Sequence, residues 1–390
     1  MAAPLKTAVA SASGSSGFVP RAAFEASPSI VRTYYLGHHT NALRSMRSTL
    51  SNIGLILECR DSRVPLTSTN PLLESALAGR DRIVVYTKSD LCARPSSNRW
   101  LEKQHRLLTE YHSSRSGITY SGEAGGGGGG AEGSRYSRTE VVFTDEINPR
   151  TIKKLIDMIQ ERAIAAESLT GLRALVVGMP NVGKSTLLNL LRREGMRLPK
   201  AARTGGHPGI TRKLSMPVRV IPENTKAGLD TGVFVIDTPG VFVPYVGDVE
   251  AMLKLALVGC VKDTVVPMEV LADYLLFRLN LLDPRLYSKM SAPTNDIGEF
   301  LDAVGLHVGK LSKGGVPSQE RAADWIVRQW RKGKFGRFGL DDVSEKNLRA
   351  LAAKELAGAE QPLSLNQAKK REKEARKARH AAKRQAAEGA

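Results

Sequence analysis

Short apolar runs alternate with segments of helical period along the first two thirds of the chain. Residues 53–59 form an apolar run that ends at Arg60-Asp61 and predicts a buried strand. Residues 70–77 follow as a helix, with Pro71 suited to its first position. A second strand at 83–86 runs into Thr87-Lys88-Ser89-Asp90, and a helix around 100–111 comes next. A third strand lies at 141–143. Asn148-Pro149 then opens a helix that places Ile152, Leu155, Ile156 and Ile159 on one face. Further strands are expected at 172–177 and 233–236. Strands alternating with helices imply an α/β fold with a parallel sheet covered on both faces. After Val249 the strand pattern stops. Residues 252–257, 271–282 and 321–330 have helical period, so 249–345 reads as a separate helical domain.

Three stretches break this pattern. Residues 113–138 collapse to Gly, Ser and Arg, with six consecutive glycines from Gly125, and cannot pack a core. Residues 1–33 are rich in Ala and Ser, carry Lys6, Arg21 and Arg32, and contain one acid, Glu25. Such a composition suits a mitochondrial transit peptide. Pro4, Gly14, Gly17 and Pro20 interrupt an amphipathic helix there, so a disordered tail is the alternative. Residues 346–390 form a basic tail, in which 367–384 hold nine Lys or Arg against two Glu.

Composition narrows the class. A 42% hydrophobic share with 25% charged residues suits a soluble globular protein. No apolar stretch approaches the length of a transmembrane segment. Cys59, Cys92 and Cys260 are too far apart in sequence for metal-ligand spacing or a disulfide framework, which points to a reducing compartment. The net charge of +18 draws the chain to polyanions, nucleic acid ahead of anionic membrane.

The candidate chemistry centres on Gly178-Met179-Pro180-Asn181-Val182-Gly183-Lys184-Ser185, which fits G-x-x-x-x-G-K-[ST] between an expected strand and helix. Backbone N–H groups from Asn181 to Thr186 would wrap phosphate oxygens at a helix N-terminus. Lys184 would reach the β- and γ-phosphates and Ser185 would bind magnesium. Asp237-Thr238-Pro239-Gly240 closes the next strand, with Asp237 placed to hold magnesium through water and the Gly240 amide to sense the γ-phosphate. Between them, Thr211 is the expected γ-phosphate and magnesium sensor, with Thr204 as the alternative. Thr87-Lys88-Ser89-Asp90 resembles the Asn-Lys-x-Asp motif that reads guanine: Asp90 would accept from the N1 and N2 donors while Lys88 packs along the base. The expected ligands are therefore GTP or GDP with magnesium.

The base-reading motif precedes the phosphate loop, which precedes Thr211 and Asp237. That order resembles the circularly permuted ribosome-assembly GTPases of the YlqF/RbgA family, and their mitochondrial ribosome-associated members in particular. The likeness runs over about residues 34–340. It includes Tyr35-Leu36-Gly37-His38-His39, Asp61-Ser62-Arg63-Val64-Pro65 with Asn70-Pro71, and Pro208-Gly209-Ile210-Thr211. Farther on, it includes Leu255-Ala256-Leu257 with Val261-Lys262-Asp263, then Gly314-Gly315 and Gly333-Lys334-Phe335-Gly336. The resemblance implies a permuted Ras-like P-loop GTPase fold over 34–248, followed by an all-α domain. Its partner would be the mitochondrial large ribosomal subunit and its rRNA. The location would be the matrix, with peripheral contact on the inner membrane as an extension and the nucleolus as the lesser address.

The chain departs from the pattern at three places. Thr87 stands where Asn is usual, Thr144-Asp145-Glu146 where Ser-Ala-Lys is usual, and Val241 where a Ras-type enzyme places the glutamine that orients water. His38 is the catalytic candidate in its stead, against the alternatives of capping a helix or touching RNA. Potassium is the other candidate, because Asn181 matches the phosphate-loop asparagine of cation-stimulated GTPases. A scaffold with a degenerate site, and a GTPase acting on a non-ribosomal partner such as a membrane, are the rival readings.

Overall fold

The structure is a computed structural model that describes residues 17–26, 30, 37–92, 98–114, 138–205, 209, 211, 214–243, 245–356, 367, 370 and 374. Residues 1–16, most of the Gly-rich insertion (115–137) and nearly all of the tail beyond 356 lie outside the described residues, so the transit-peptide expectation for 1–33 falls largely there. Among the described residues, six strands form one sheet: β1 (Leu55–Asp61), β2 (Arg82–Thr87), β3 (Thr139–Phe143), β4 (Leu172–Gly178), β5 (Val218–Ile221) and β6 (Val233–Asp237). Their spatial order is β3-β2-β1-β4-β6-β5, parallel throughout except for β5 against β6. The sequence pattern misses β5 and its reversed direction. It is a short edge strand interrupted by Arg219, and an antiparallel edge needs only one covered face.

The helices are α1 (Gly37–Thr49), α2 (Pro71–Ala76), α3 (Asn98–Ser113), α4 (Pro149–Ala165) and α5 (Lys184–Met196), then α6 (Val249–Leu257), α7 (Met268–Leu282), α8 (Ile297–Val308), α9 (Gln319–Arg331) and α10 (Glu345–Leu356). Asn70 and Asn148 cap α2 and α4 by accepting from backbone N–H groups, each with proline at the first helical position. The sequence pattern also misses α8, where Gly298 and Gly305 lower helix propensity.

Alternate strand residues feed opposite faces of the sheet. Leu55, Leu57, Cys59, Ala174 and Val176 join Leu155 of α4 and Leu188 of α5 in the largest apolar cluster. Ile56, Leu175 and Val177 face the other way, against Met46 of α1 and Leu73 of α2. Val84 and Tyr86 pack with Leu107 and Leu108 of α3 and with Leu348 of α10. The largest cluster continues without a break through Leu255, Leu275, Val304, Ile326 and Trp330, so the helical region shares its core with the sheet. Both ends of the chain contribute as well. Arg21 pairs with Asp273 of α7 at 2.5 Å and Phe24 meets Tyr274 edge-on. The stretch read as a basic tail begins as α10, with Leu348 buried.

β1 is buried along its whole length although it carries Glu58, Arg60 and Asp61. Charges there must be paired. Arg60 donates to Glu58 at 2.6 Å and to Glu74 at 2.5 Å, and Arg82 donates to the same two carboxylates at 3.1 and 2.7 Å. Arg60→Ala would leave Glu58 buried without its nearest donor. A loss of about 3–5 kcal/mol is expected, read as a lower urea midpoint at unchanged slope.

Candidate nucleotide site at the carboxyl ends of the central strands

Chain connections run outward from β1 to β2 and β3 on one side, while on the other the chain leaves β4 for the edge strand β5 and returns to β6 beside β4. In an open α/β sheet the crevice at the carboxyl ends of strands beside such a reversal is the ligand site. The structure puts the phosphate loop there. β4 ends at Gly178, whose added Cβ would overlap the Cys59 carbonyl oxygen, and α5 begins at Lys184 after Gly183 with φ +93°. Gly240 sits against the loop from above: a Cβ there would lie 2.5 Å from the Pro180 backbone. Only glycine permits both close approaches. Lys184, Ser185, Thr186, Arg203, Thr211 and Gly240 line one open pocket.

Three oxygen groups converge at its base. Ser185 Oγ donates to Asp237 Oδ2 at 2.5 Å, and Thr211 Oγ1 lies 3.1 Å from Ser185 Oγ and 3.4 Å from Asp237 Oδ2. Thr204 lines the same pocket but is exposed. Asp237 Oδ1 is buried without a hydrogen-bond partner. Burial pushes the Asp237 carboxyl above the usual carboxylate range, against the pull of Lys184 and the two hydroxyls. An orphaned carboxylate oxygen beside two hydroxyls fits a hard divalent cation with oxygen ligands. Lys184 is buried, its pKa pulled down by desolvation, and its Nζ donates to Met179 O at 2.7 Å.

The loop after β2 closes the other side. Thr87 Oγ1 donates to Val182 O at 2.6 Å, so a hydroxyl supplies a tie to the phosphate loop where asparagine is usual. Lys88, with φ +57°, spans Asp61 Oδ2 at 2.9 Å and Asn181 O at 2.8 Å. Asp90 is half-buried, and burial and the nearby Asp145 raise its pKa. Asp145 accepts from Ile147 N–H at 2.9 Å and from Asn148 N–H, folding the third base-side loop onto itself. Ser89 N–H binds Thr144 O at 3.1 Å, so the two loops are joined.

Several contacts lay beyond the reach of sequence. Asp61 accepts two bonds from the Arg63 guanidinium, at 2.9 and 2.8 Å, and one from the Arg63 backbone N–H at 3.0 Å, beside the one from Lys88. Asn70 donates to Val241 O at 2.8 Å, which turns a helix cap into a brace for the loop after Gly240. Val241 itself is buried. Phe242 N–H donates to Nδ1 of buried His39 at 3.0 Å. His38 stands in the first turn of α1, and its side chain lies outside the described residues. Asn181 Nδ2 donates to Gly259 O at 3.2 Å, a contact between phosphate loop and helical region. Asp61, Arg63 and Asn70 were visible as motif letters; their partners were not.

Thr87→Val keeps the shape of the side chain and removes the hydroxyl, leaving the Val182 carbonyl without that donor. A loss of about 1–3 kcal/mol is expected, measured by urea unfolding of both proteins.

A family model described as "50S ribosome-binding GTPase" matches residues 173–312. Mitochondrial GTPase 1 of Schizosaccharomyces japonicus is 37% identical over 316 residues, covering 80% of this chain and 91% of its own length. Mitochondrial ribosome-associated GTPase 1 of Xenopus tropicalis is 30% identical over 340 residues, covering 82% and 98%. Ribosome biogenesis GTPase A of Priestia megaterium is 30% identical over 318 residues, covering 80% and 97%. With its base-side loop ahead of the phosphate loop in sequence and bonded to it in space, this chain binds guanine nucleotide, hydrolyses GTP, and belongs to the mitochondrial GTPase 1 family of circularly permuted GTPases.

Proposed function

We propose that this GTPase is an assembly factor for the mitochondrial large ribosomal subunit, docking on it and its rRNA in the GTP state and leaving upon hydrolysis. The observation that carries this reading is the turn at the end of α6. Asn181 of the phosphate loop binds Gly259 O, Arg63 binds Val258 O at 3.4 Å, and Arg331 of α9 binds Leu257 O and Ala256 O at 2.9 Å each. A change around the phosphates therefore reaches the helical region through direct bonds.

In this reading the loop from Asn181 to Thr186 wraps the phosphates, with Lys184 on the β- and γ-phosphates and the Gly240 amide sensing the γ-phosphate. Ser185, Thr211 and Asp237 would hold magnesium. When bound, that ion neutralises charge developing on the phosphates. Thr87, Lys88 and Asp90 hold the base, and His38 orients the attacking water. Potassium beside Asn181 would need that residue's amide oxygen, its nitrogen being donated to Gly259.

The family description names the 50S particle, and two relatives are named for ribosome association and biogenesis. These names, the mitochondrial names and the net charge of +18 support the partner and the compartment. Among the described residues no helix is long and apolar enough to cross a membrane. Contact with the inner membrane, in this reading, is peripheral.

Purified protein should hydrolyse GTP and not ATP, faster with mitochondrial large subunits than without. Activity indifferent to subunits would remove the ribosomal part and leave the site. Absence of turnover with any nucleotide would favour the degenerate scaffold. Lys184→Ala should abolish turnover, and unchanged hydrolysis would sink the site assignment.

Asp90 adds a pH dependence. The ionised carboxylate accepts both guanine donors, and its pKa is raised. GDP affinity should therefore be full above that pKa and decline as pH falls through it. Asp90→Asn should weaken GDP binding about 10- to 100-fold and flatten the profile. The same variant should bind xanthosine diphosphate better, because an amide donor then meets the carbonyl that replaces the guanine amino group.

A further inference from the structure

We propose that Arg203 is a catalytic cation of this enzyme, an arginine finger supplied by its own chain to the γ-phosphate. The proposal rests on the nucleotide site assigned above and concerns a residue given no role there. Arg203 lines the phosphate pocket together with Lys184, Ser185, Thr211 and Gly240. It is exposed, and among the described residues it makes no hydrogen bond or ion pair. Basic side chains nearby are already engaged: Arg192 donates to Pro199 O at 3.0 Å and Arg193 to Glu194 at 2.9 Å.

The backbone leading to Arg203 is clamped. Asn189, buried on α5, accepts from the N–H groups of Ala201 and Ala202 at 3.0 and 2.9 Å and donates to Ala202 O at 2.9 Å. One buried amide thus fixes the residue just before Arg203 to the helix that starts in the phosphate loop.

The chemistry leaves a place for such a cation. Val241 is apolar and buried, and no glutamine follows Gly240. Lys184 is already assigned to the β- and γ-phosphates, Lys88 is bonded to Asp61 and to the Asn181 carbonyl, and Asn181 donates to Gly259. In hydrolysis the water oxygen bonds to the γ-phosphorus as the bond to the bridging oxygen breaks. That electron pair goes to the β-phosphate, and the water proton leaves with the released phosphate. Charge spreads over the γ- and bridging oxygens in the transition state, where a planar guanidinium can donate two bonds at once. An arginine in cis, upstream of the magnesium-sensing threonine, answers that need.

The experiment is single-turnover GTP hydrolysis and GDP affinity for wild type, Arg203→Ala, Arg203→Lys and Asn189→Ala, each in potassium and in sodium buffer. Arg203→Ala should lose hydrolysis on the order of 10²- to 10³-fold while GDP affinity stays near wild type. Arg203→Lys should recover part of the rate, since charge returns without the planar fork. Asn189→Ala should also slow hydrolysis with Arg203 still present. Wild-type rates for Arg203→Ala would overturn the proposal, as would a parallel loss of GDP affinity and rate. Full activity of Arg203→Ala in potassium with loss only in sodium would also overturn it, and assign the charge to the monovalent ion. If wild type failed to bind GDP, the nucleotide site itself would fall and this proposal with it. Wild-type binding alongside an indifferent Arg203→Ala would remove the proposal alone.

Discussion

A single buried carboxylate, Asp61, joins the base-side loop, the phosphate loop and the helical region. It ends β1, has no exposed surface, and is bonded to Arg63 and Lys88. Burial alone would raise its pKa, but the two cations hold the carboxyl well below the usual carboxylate range. Lys88 carries the contact on to Asn181 O in the phosphate loop. Arg63 carries it to Val258 O and lies 5.2 Å from the centroid of the Trp330 ring. That cation–π contact offsets an Nη1 without a hydrogen-bond partner. Removing the carboxylate would strand two cations, one of them fully desolvated.

The position of Asp61 follows from sheet topology. A central strand buried on both faces delivers its last residue to the crevice where the connections reverse. The same strand spends two interior positions on Glu58 and Arg60, which pair with each other and with Glu74 and Arg82, brought to them by α2 and β2. Stability and site geometry therefore come from one element. The α6 turn completes the arrangement by gathering Asn181, Arg63 and Arg331 onto consecutive carbonyls. In most helices such groups would be left to water or to a cap; here they join the nucleotide site to the helical region.

Much of the fold could be read from the residues. Short apolar runs marked β1, β2, β3, β4 and β6, and period-3.6 patterns marked α4, α7 and α9, because central strands are buried on both faces and helices bury one. β5 and α8 escaped. Arg219 breaks the apolar run of one, and glycines weaken the other, so their stability comes from neighbours and not from local preference. The glycine-rich loop at 178–185 stood out because its motif has fixed offsets between a strand and a helix, and Asp237 because it closes a strand; the structure brings both together with Thr211.

Sequence by itself determined the chemistry available: a glycine-lined loop, its lysine and serine, a strand-end aspartate, and their order along the chain. Tertiary structure alone decided which groups meet. Thr87 keeps a tie to the phosphate loop through its hydroxyl, Asn181 turns to Gly259, and Asn189 anchors the approach to Arg203. Each of these bonds joins residues whose separation along the chain carries no local signal. A hydrogen bond needs only a donor and an acceptor about 3 Å apart, and packing of the sheet and helices sets that distance, not the spacing of letters.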